Sequence, residues 1–275
     1  MSQLLNDAGE PRLLTSIADG IGCVTINRPE ARNAMSSDVR EGLFTFFEDV
    51  RGREDVRVVL IQAAGKSFVA GGDIKAFGEG LAMTPEDRAT DMKGRAAGAG
   101  ALSALISTLP QPVIVAARGY AVGVGASLLF ASDLAIVSET AKVGLTHVTL
   151  GINPDGAGTF FLPRQVGMKR AAQIALLGEM MNADELLSLG LVNWVVPDAE
   201  LDERAMALAR KLAAGAPVAQ QEAKRLLQGA LARDIDAQVA AEAESLWRCA
   251  LTEDYAEGLR AILERRPARF GQQGN

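Results

Sequence analysis

Histidine is almost absent from this 275-residue chain; the one present is His147. Cysteine is nearly as scarce, and Cys23 and Cys249 lie far apart in sequence. One histidine and two distant cysteines give no metal-spaced set, which argues against a zinc site. The two thiols read as free cysteines of a reducing compartment. There is no basic excess either: 28 Lys and Arg against 34 Asp and Glu give a net charge of -6. A nucleic-acid surface normally shows the opposite balance, though a local basic pocket for a phosphorylated ligand stays open. No apolar run approaches the roughly 20 residues that span a bilayer. The opening MSQLLNDAGEPRLL has no basic stretch leading into an apolar one, so no secretory signal is expected. A cytoplasmic protein that binds neither membrane nor nucleic acid is the expectation.

What is present is ordinary for a globular domain, 48% hydrophobic and 23% charged residues, enough for a core without disulfides or metals. "RLLTSIADGIGCVTINRP" predicts a hairpin, two β-rich runs around Asp19-Gly20. "SSDVREGLFTFFEDV" predicts a helix capped by Ser36 or Ser37, with Val39, Leu43, Phe46, Phe47 and Val50 on one face. "VRVVLIQAAG" is too uniformly apolar to face water and reads as a buried strand. A loop, "GKSFVAGGDIKAF", follows. A long helix is then expected from Thr84, with Pro85 in its first turn and Asp87 closing a capping box. Beyond it "PVIVAARGY" reads as a strand, "GVGASLLFAS" as a short helix and "DLAIVSETAKVGL" as one or two strands. "MKRAAQIALLGE" is helical, Asn182 and Glu185 cap another helix, and "LVNWVVP" is a last strand. From Asp198 the chain reads as helical. Strands alternating with helices predict α/β architecture, here with residues 1–197 as a core and 198–275 as a helical C-terminal region.

Two loops carry unusual amounts of glycine: "AGGDI" at 70–74 and "GYAVGVGAS" at 119–127, the second running into a helix. Each can aim main-chain N–H groups at a negative oxygen, and each can equally be a tight turn. Gly123-Val124-Gly125 follows a strand, but position 128 is leucine, so the dinucleotide fingerprint is incomplete. No Walker pattern and no GxSxG elbow occurs. Asp155, between Pro154 and Gly156, suits a helix cap and a catalytic base alike.

Taken together and in order, "INRPEARNAM" (26–35), "SFVAGGDIKAF" (67–77), "PVIVAARGYAVGVGASLLFASDLAI" (112–136), "GINPDGAGTFFLPRQVG" (151–167) and "EDYAEGLRAILERRPARF" (253–270) resemble the crotonase superfamily, the enoyl-CoA hydratase/isomerase family. The resemblance covers nearly the whole chain. It implies a crotonase-like spiral of ββα units with a helical C-terminal trimerisation region, assembled as a homotrimer or a hexamer. It implies an acyl-CoA thioester as substrate, so that coenzyme A arrives with the substrate and no separate cofactor is needed. Its oxyanion hole falls on the N–H groups of Gly72 and Val124. Its coenzyme A contacts fall on Ala31, Ala70, Asp73 and Ile74, with Arg28 and Gly123 beside them and Arg266 reaching toward a neighbouring subunit.

The chain departs from the family's hydratases where they keep two glutamates, for here the matching residues are Ser127 and His147. A serine hydroxyl is not a base near neutral pH; histidine can act as acid or base, or simply line the pocket. Some branches of the family place an acidic base at the position of Asp155, which makes it the leading candidate. One carboxylate suffices to move a double bond, whereas hydration also needs an activated water. The expected activity is therefore enoyl-CoA isomerisation. A hydratase with atypical residues and a non-catalytic acyl-CoA-binding relative are the alternatives.

Overall fold

The computed structural model describes residues 4–271. Leu13–Ala18 (β1) and Ile21–Ile26 (β2) pair antiparallel, as the hairpin signal predicts. The turn residues Asp19 and Gly20 both have positive φ, 53° and 77°. That is the backbone a type I′ turn requires. Ser37–Arg51 (α1) buries the five apolar residues read as its inner face. Ser36 stands at its cap position, but its hydroxyl makes no capping bond, contrary to expectation. Val58–Ala63 (β3) follows, mostly buried, and pairs parallel with β2.

Inside the expected loop the chain forms a short helix, Ile74–Glu79 (α2), capped by the carboxylate of Asp73. Pro85–Ser107 (α3) starts at Thr84, whose side chain accepts the Asp87 N–H. The box is only half built: the Asp87 carboxylate bonds the Thr84 hydroxyl at 2.8 Å. Val113–Ala117 (β4), Tyr120–Val122 (β5), Val124–Ala131 (α4), Leu134–Ser138 (β6) and Lys142–Gly144 (β7) come next. The helix expected from Met168 begins earlier, at Gly158, and runs to Leu177 (α5) with a break at Gly167. A short strand that sequence did not indicate, Met180–Asn182 (β8), precedes Ala183–Ser188 (α6). The capping box of Asn182 and Glu185 is complete. Trp194–Val196 (β9) is the last strand, followed by Leu201–Ala213 (α7), Pro217–Gly229 (α8), Ile235–Ala250 (α9) and Glu253–Leu263 (α10).

The strands make a six-stranded sheet in the order β1-β2-β3-β4-β6-β9 and a three-stranded sheet β5-β7-β8. The architecture is thus α/β with a helical C-terminal region, as expected. On one face of the large sheet lies the main core, built with α1, α4 and the C-terminal half of α3. On the other lies α7, whose Leu201, Ala205, Ala209 and Ala213 recur every four residues and meet Val58, Leu60, Ile114 and Ile136. Alanine at those positions lets the helix lie close to the strands. The chain after α7 is tethered by Lys224 of α8, whose Nζ reaches the Asp133 carboxylate at 2.6 Å and donates to the Gln111 carbonyl at 3.0 Å. Burial pushes the Asp133 carboxyl up and the Lys224 ammonium down, and each charge partly offsets the shift of the other. On α9 and α10, large apolar side chains including Leu246, Trp247, Ile262 and Leu263 face outward. Arg266, just beyond α10, is held by Glu257 at 2.6 Å and by Glu264 at 2.6 Å rather than left free to reach outward. Hydrogen bonds from Arg266 and from the Arg269 N–H hold the Glu257 carboxyl at about 2. Among the described residues no helix is long and apolar enough to cross a membrane.

Removing one partner of the Lys224–Asp133 pair strands the other charge in the interior. Lys224→Met is expected to lower unfolding free energy by about 3 kcal/mol or more. The double variant Lys224→Met with Asp133→Asn should recover part of that loss. Denaturant titration at unchanged slope checks both; a double variant no more stable than the single one would show that the pair is not the origin.

Candidate active site

The site grows from two segments that hydrogen-bond to each other. The loop leaving β3 runs beside β5: the Val69 N–H donates to the Tyr120 carbonyl at 3.0 Å, and the Val122 N–H donates to the Val69 carbonyl at 2.8 Å. Three residues beyond Val69 lies Gly72, and two beyond Val122 lies Val124, the first residue of α4. A helix's first amides have no intrahelical acceptor. Among the described residues neither the Gly72 nor the Val124 N–H has a hydrogen-bond partner, and both residues line one cavity. Glycine at 72 lies against the Phe77 ring, which an added Cβ would push aside. At 124 the side chain turns into the core, 6% exposed, so a valine leaves the amide where a glycine would.

Asp155 belongs to a different element. It stands ahead of α5, whose cap residue is Ala157 with φ 60° and no side-chain capping bond. The Asp155 carboxylate therefore does not cap the helix. It meets His147 instead, Nε2 to Oδ1 at 3.1 Å, and its other oxygen has no partner among the described residues. His147 is 8% exposed, and its Nδ1 is buried without a partner. Sequence treated these two residues separately, and no local pattern joins them, since the segment between them is a 3-10 turn ending in a left-handed Gly151. Underneath lies Ser127, fully buried, whose hydroxyl donates to the Asp155 carbonyl at 3.2 Å. Gly156, with φ 63°, and Gly158 rest on that hydroxyl: a Cβ at either would come within 2.8 and 2.9 Å of it. Ser127 is thus a support under the turn and not a residue of the cavity wall.

The cavity measures about 710 Å³. Gly72, Gly123, Val124, His147 and Asp155 line it, as do Ala70, Asp73 and Ile74 from the first glycine loop. Arg28 and Ala31 do not. The Arg28 guanidinium is buried, pairing with Asp73 at 3.2 Å and donating to the Ala34 carbonyl at 2.8 Å. It braces the 70–74 loop through Asp73. Ala31 sits in a 3-10 turn outside the cavity wall. Sequence also missed the wall formed by Met35, Ser36 and Arg40 of the α1 segment and by Thr90, Asp91, Met92, Gly94, Arg95 and Ala99 of α3. Its one signal was glycine inside a helix, at 94 and 98. No cluster of three or more metal-ligating side chains occurs among the described residues.

A pair of free amides, a carboxylate oriented by an imidazole and a large cavity between them can stabilise an oxyanion and move a proton next to it. Known proteins with this arrangement of elements are readily found. A family model described as enoyl-CoA hydratase/isomerase matches residues 16–273. A short-chain-enoyl-CoA hydratase of Clostridium acetobutylicum is 36% identical over 247 residues, covering 90% of this chain and 92% of that protein. A 1,2-epoxyphenylacetyl-CoA isomerase of Escherichia coli is 31% identical over 266 residues, covering 94% and 97%. The crystal structure of an enoyl-CoA hydratase from Bacillus anthracis superposes with a TM-score of 0.88 at 31% identity, covering 95% of this chain and all of the other.

The packing of Ser127 makes a direct prediction. Ser127→Ala should cost about 1 kcal/mol, the worth of one hydrogen bond. Ser127→Glu has no room beneath Gly156 and Gly158 and should cost about 3 kcal/mol or more from overpacking and a buried carboxylate. Unfolding midpoints read the difference, and equal midpoints for the two variants would contradict the support role.

Proposed function

The chain belongs to the enoyl-CoA hydratase/isomerase family, and from that premise we propose that it moves the double bond of an enoyl-CoA, with Asp155 as the proton-transferring base. The observation that carries this reading is the Asp155 carboxylate, which among the four that line the cavity is the one held by an imidazole. Asp155 is held by His147 at 3.1 Å, and the two positions that resemble a hydratase's glutamates hold Ser127 and His147. Of those two, Ser127 is under the turn and has no access to the cavity.

With a 3-enoyl thioester in the cavity, Asp155 takes a proton from the carbon next to the carbonyl. The C–H electron pair moves into a dienolate whose negative charge rests on the thioester oxygen. The Gly72 and Val124 N–H groups donate to that oxygen, each worth about 3 kcal/mol in comparable sites. Protonated Asp155 then returns the proton two carbons further along, and the double bond ends conjugated with the thioester. One proton leaves and one returns, so no water is consumed. The imidazole serves as a positioning residue. With Nε2 against Oδ1, it holds one carboxylate oxygen and leaves the second to the substrate.

Hydration is the second reading, and the similarity to proteins named as hydratases favours it. There the His147–Asp155 pair would hold the water. An acyl-CoA-binding protein without turnover would keep the amides and the cavity and show neither activity. The outward apolar faces of α9 and α10 are the surfaces through which a homotrimer, alone or paired into a hexamer, would form.

Asp155→Asn is expected to lower isomerisation of a 3-enoyl-CoA by roughly a hundredfold to ten-thousandfold, with the affinity for a saturated acyl-CoA retained. His147→Gln, which keeps an N–H donor, should retain more turnover than His147→Phe; equal losses would remove the positioning role. Wild-type protein should scarcely hydrate crotonyl-CoA, followed as loss of enoyl-thioester absorbance. Efficient hydration would select the second reading. Sedimentation should give three or six chain masses.

A further inference from the structure

The cavity wall formed by α1 and α3 carries charge that the proposed reaction does not use. Four cavity-lining carboxylates and two cavity-lining guanidinium groups are present. Asp73 is paired with Arg28, Asp91 with Arg95 at 2.6 Å, and Asp155 with His147; Glu79 is an exposed residue of α2. Arg40, half-buried on α1, is left as a cavity-lining cation with no carboxylate or carbonyl partner among the described residues. One turn earlier on the same helix face, the Ser36 hydroxyl also lines the cavity, beside the Asp38 carboxylate. Arg40 is thus the cation that faces this space from α1.

The opposing helix is shaped to receive the Arg40 head group. Gly98 of α3 lies directly against it: a Cβ there would come within 3.0 Å of the guanidinium carbon and within 3.1 and 3.2 Å of two of its nitrogens. Glycine weakens a helix interior, so its presence at 98 has a local cost that this close approach accounts for. Gly94, one turn before, lines the cavity with open space where its side chain would be. A partly desolvated arginine with a fitted seat and no internal counter-charge is the arrangement that recognises an anion from outside the protein.

We propose that Arg40 receives an anionic group at the far end of the acyl chain, so that the preferred substrates are CoA thioesters whose acyl chain ends in a carboxylate. This rests on the acyl-CoA reading of the cavity and is independent of which reaction follows. The test uses saturated thioesters, which bind without double-bond chemistry: glutaryl-CoA against pentanoyl-CoA, adipoyl-CoA against hexanoyl-CoA, and suberoyl-CoA against octanoyl-CoA, by titration calorimetry. In the wild-type protein at least one carboxylate-ended member should bind about tenfold more tightly than its neutral match, the effect of one charge-assisted hydrogen bond. Arg40→Gln should erase that difference, and Arg40→Lys should restore part of it. The wild-type comparison needs no variant, and the absence of any preference in it overturns the proposal. So does an Arg40→Gln protein that weakens both members of a pair equally, which would put Arg40 on a phosphate of coenzyme A. If no thioester binds at all, the acyl-CoA reading fails and the proposal goes with it. If the thioesters bind but no enoyl-CoA is turned over, only the reaction assignment fails.

Discussion

A main-chain N–H without an acceptor persists in a folded protein only where water or a ligand can reach it. Two of them at one place, Gly72 and Val124, impose conditions on much of this molecule. The segments that carry them come from separate strand-and-helix units, and the hydrogen bonds of Val69 with Tyr120 and Val122 fix one against the other. Arg28 braces the first segment through Asp73. The start of α4 supplies the second amide by the geometry of any helix terminus. The main-chain donors are thus set by strand pairing and helix initiation, the two most rigid features a fold offers.

The carboxylate is mounted on a different principle. Asp155 sits in a turn with two consecutive left-handed residues, and the second, Ala157, is not a glycine, so such backbone persists only when its surroundings over-determine it. Ser127 beneath and His147 beside provide that determination. The contrast is useful chemically. Main-chain donors fixed by strand pairing and helix initiation do not reorganise. A carboxylate held through one oxygen keeps its other oxygen without a partner among the described residues.

How much of this could be read from the sequence depended on how local each signal was. The hairpin at Asp19-Gly20, the buried face of α1 and the capping box at Asn182 are set by residues within a few positions of each other, and sequence carried them. The two glycine loops were legible as possible donors because helix initiation is local too. The His147–Asp155 contact was not, because it spans an irregular segment with no period to read. Neither was the role of Ser127, which depends on a turn far along the chain. The pairing of Arg28 with Asp73 was not legible either, because it joins residues 45 positions apart. The short β8 was missed for the plainer reason that three residues are too few to show alternation.

Because the two unpartnered donors are peptide groups, almost no substitution can delete them; position 124 carries a valine, and its amide remains without a partner among the described residues. Heritable variation in such a site is therefore channelled into the side chains around it. Asp155 in the turn ahead of α5, Ser127 on α4 and the wall from the α1 and α3 segments each sit on their own element. Any one of them can be exchanged while the others stay intact. A scaffold of this kind lets the side chains around the cavity be replaced one at a time, with the two main-chain N–H groups carried along unchanged.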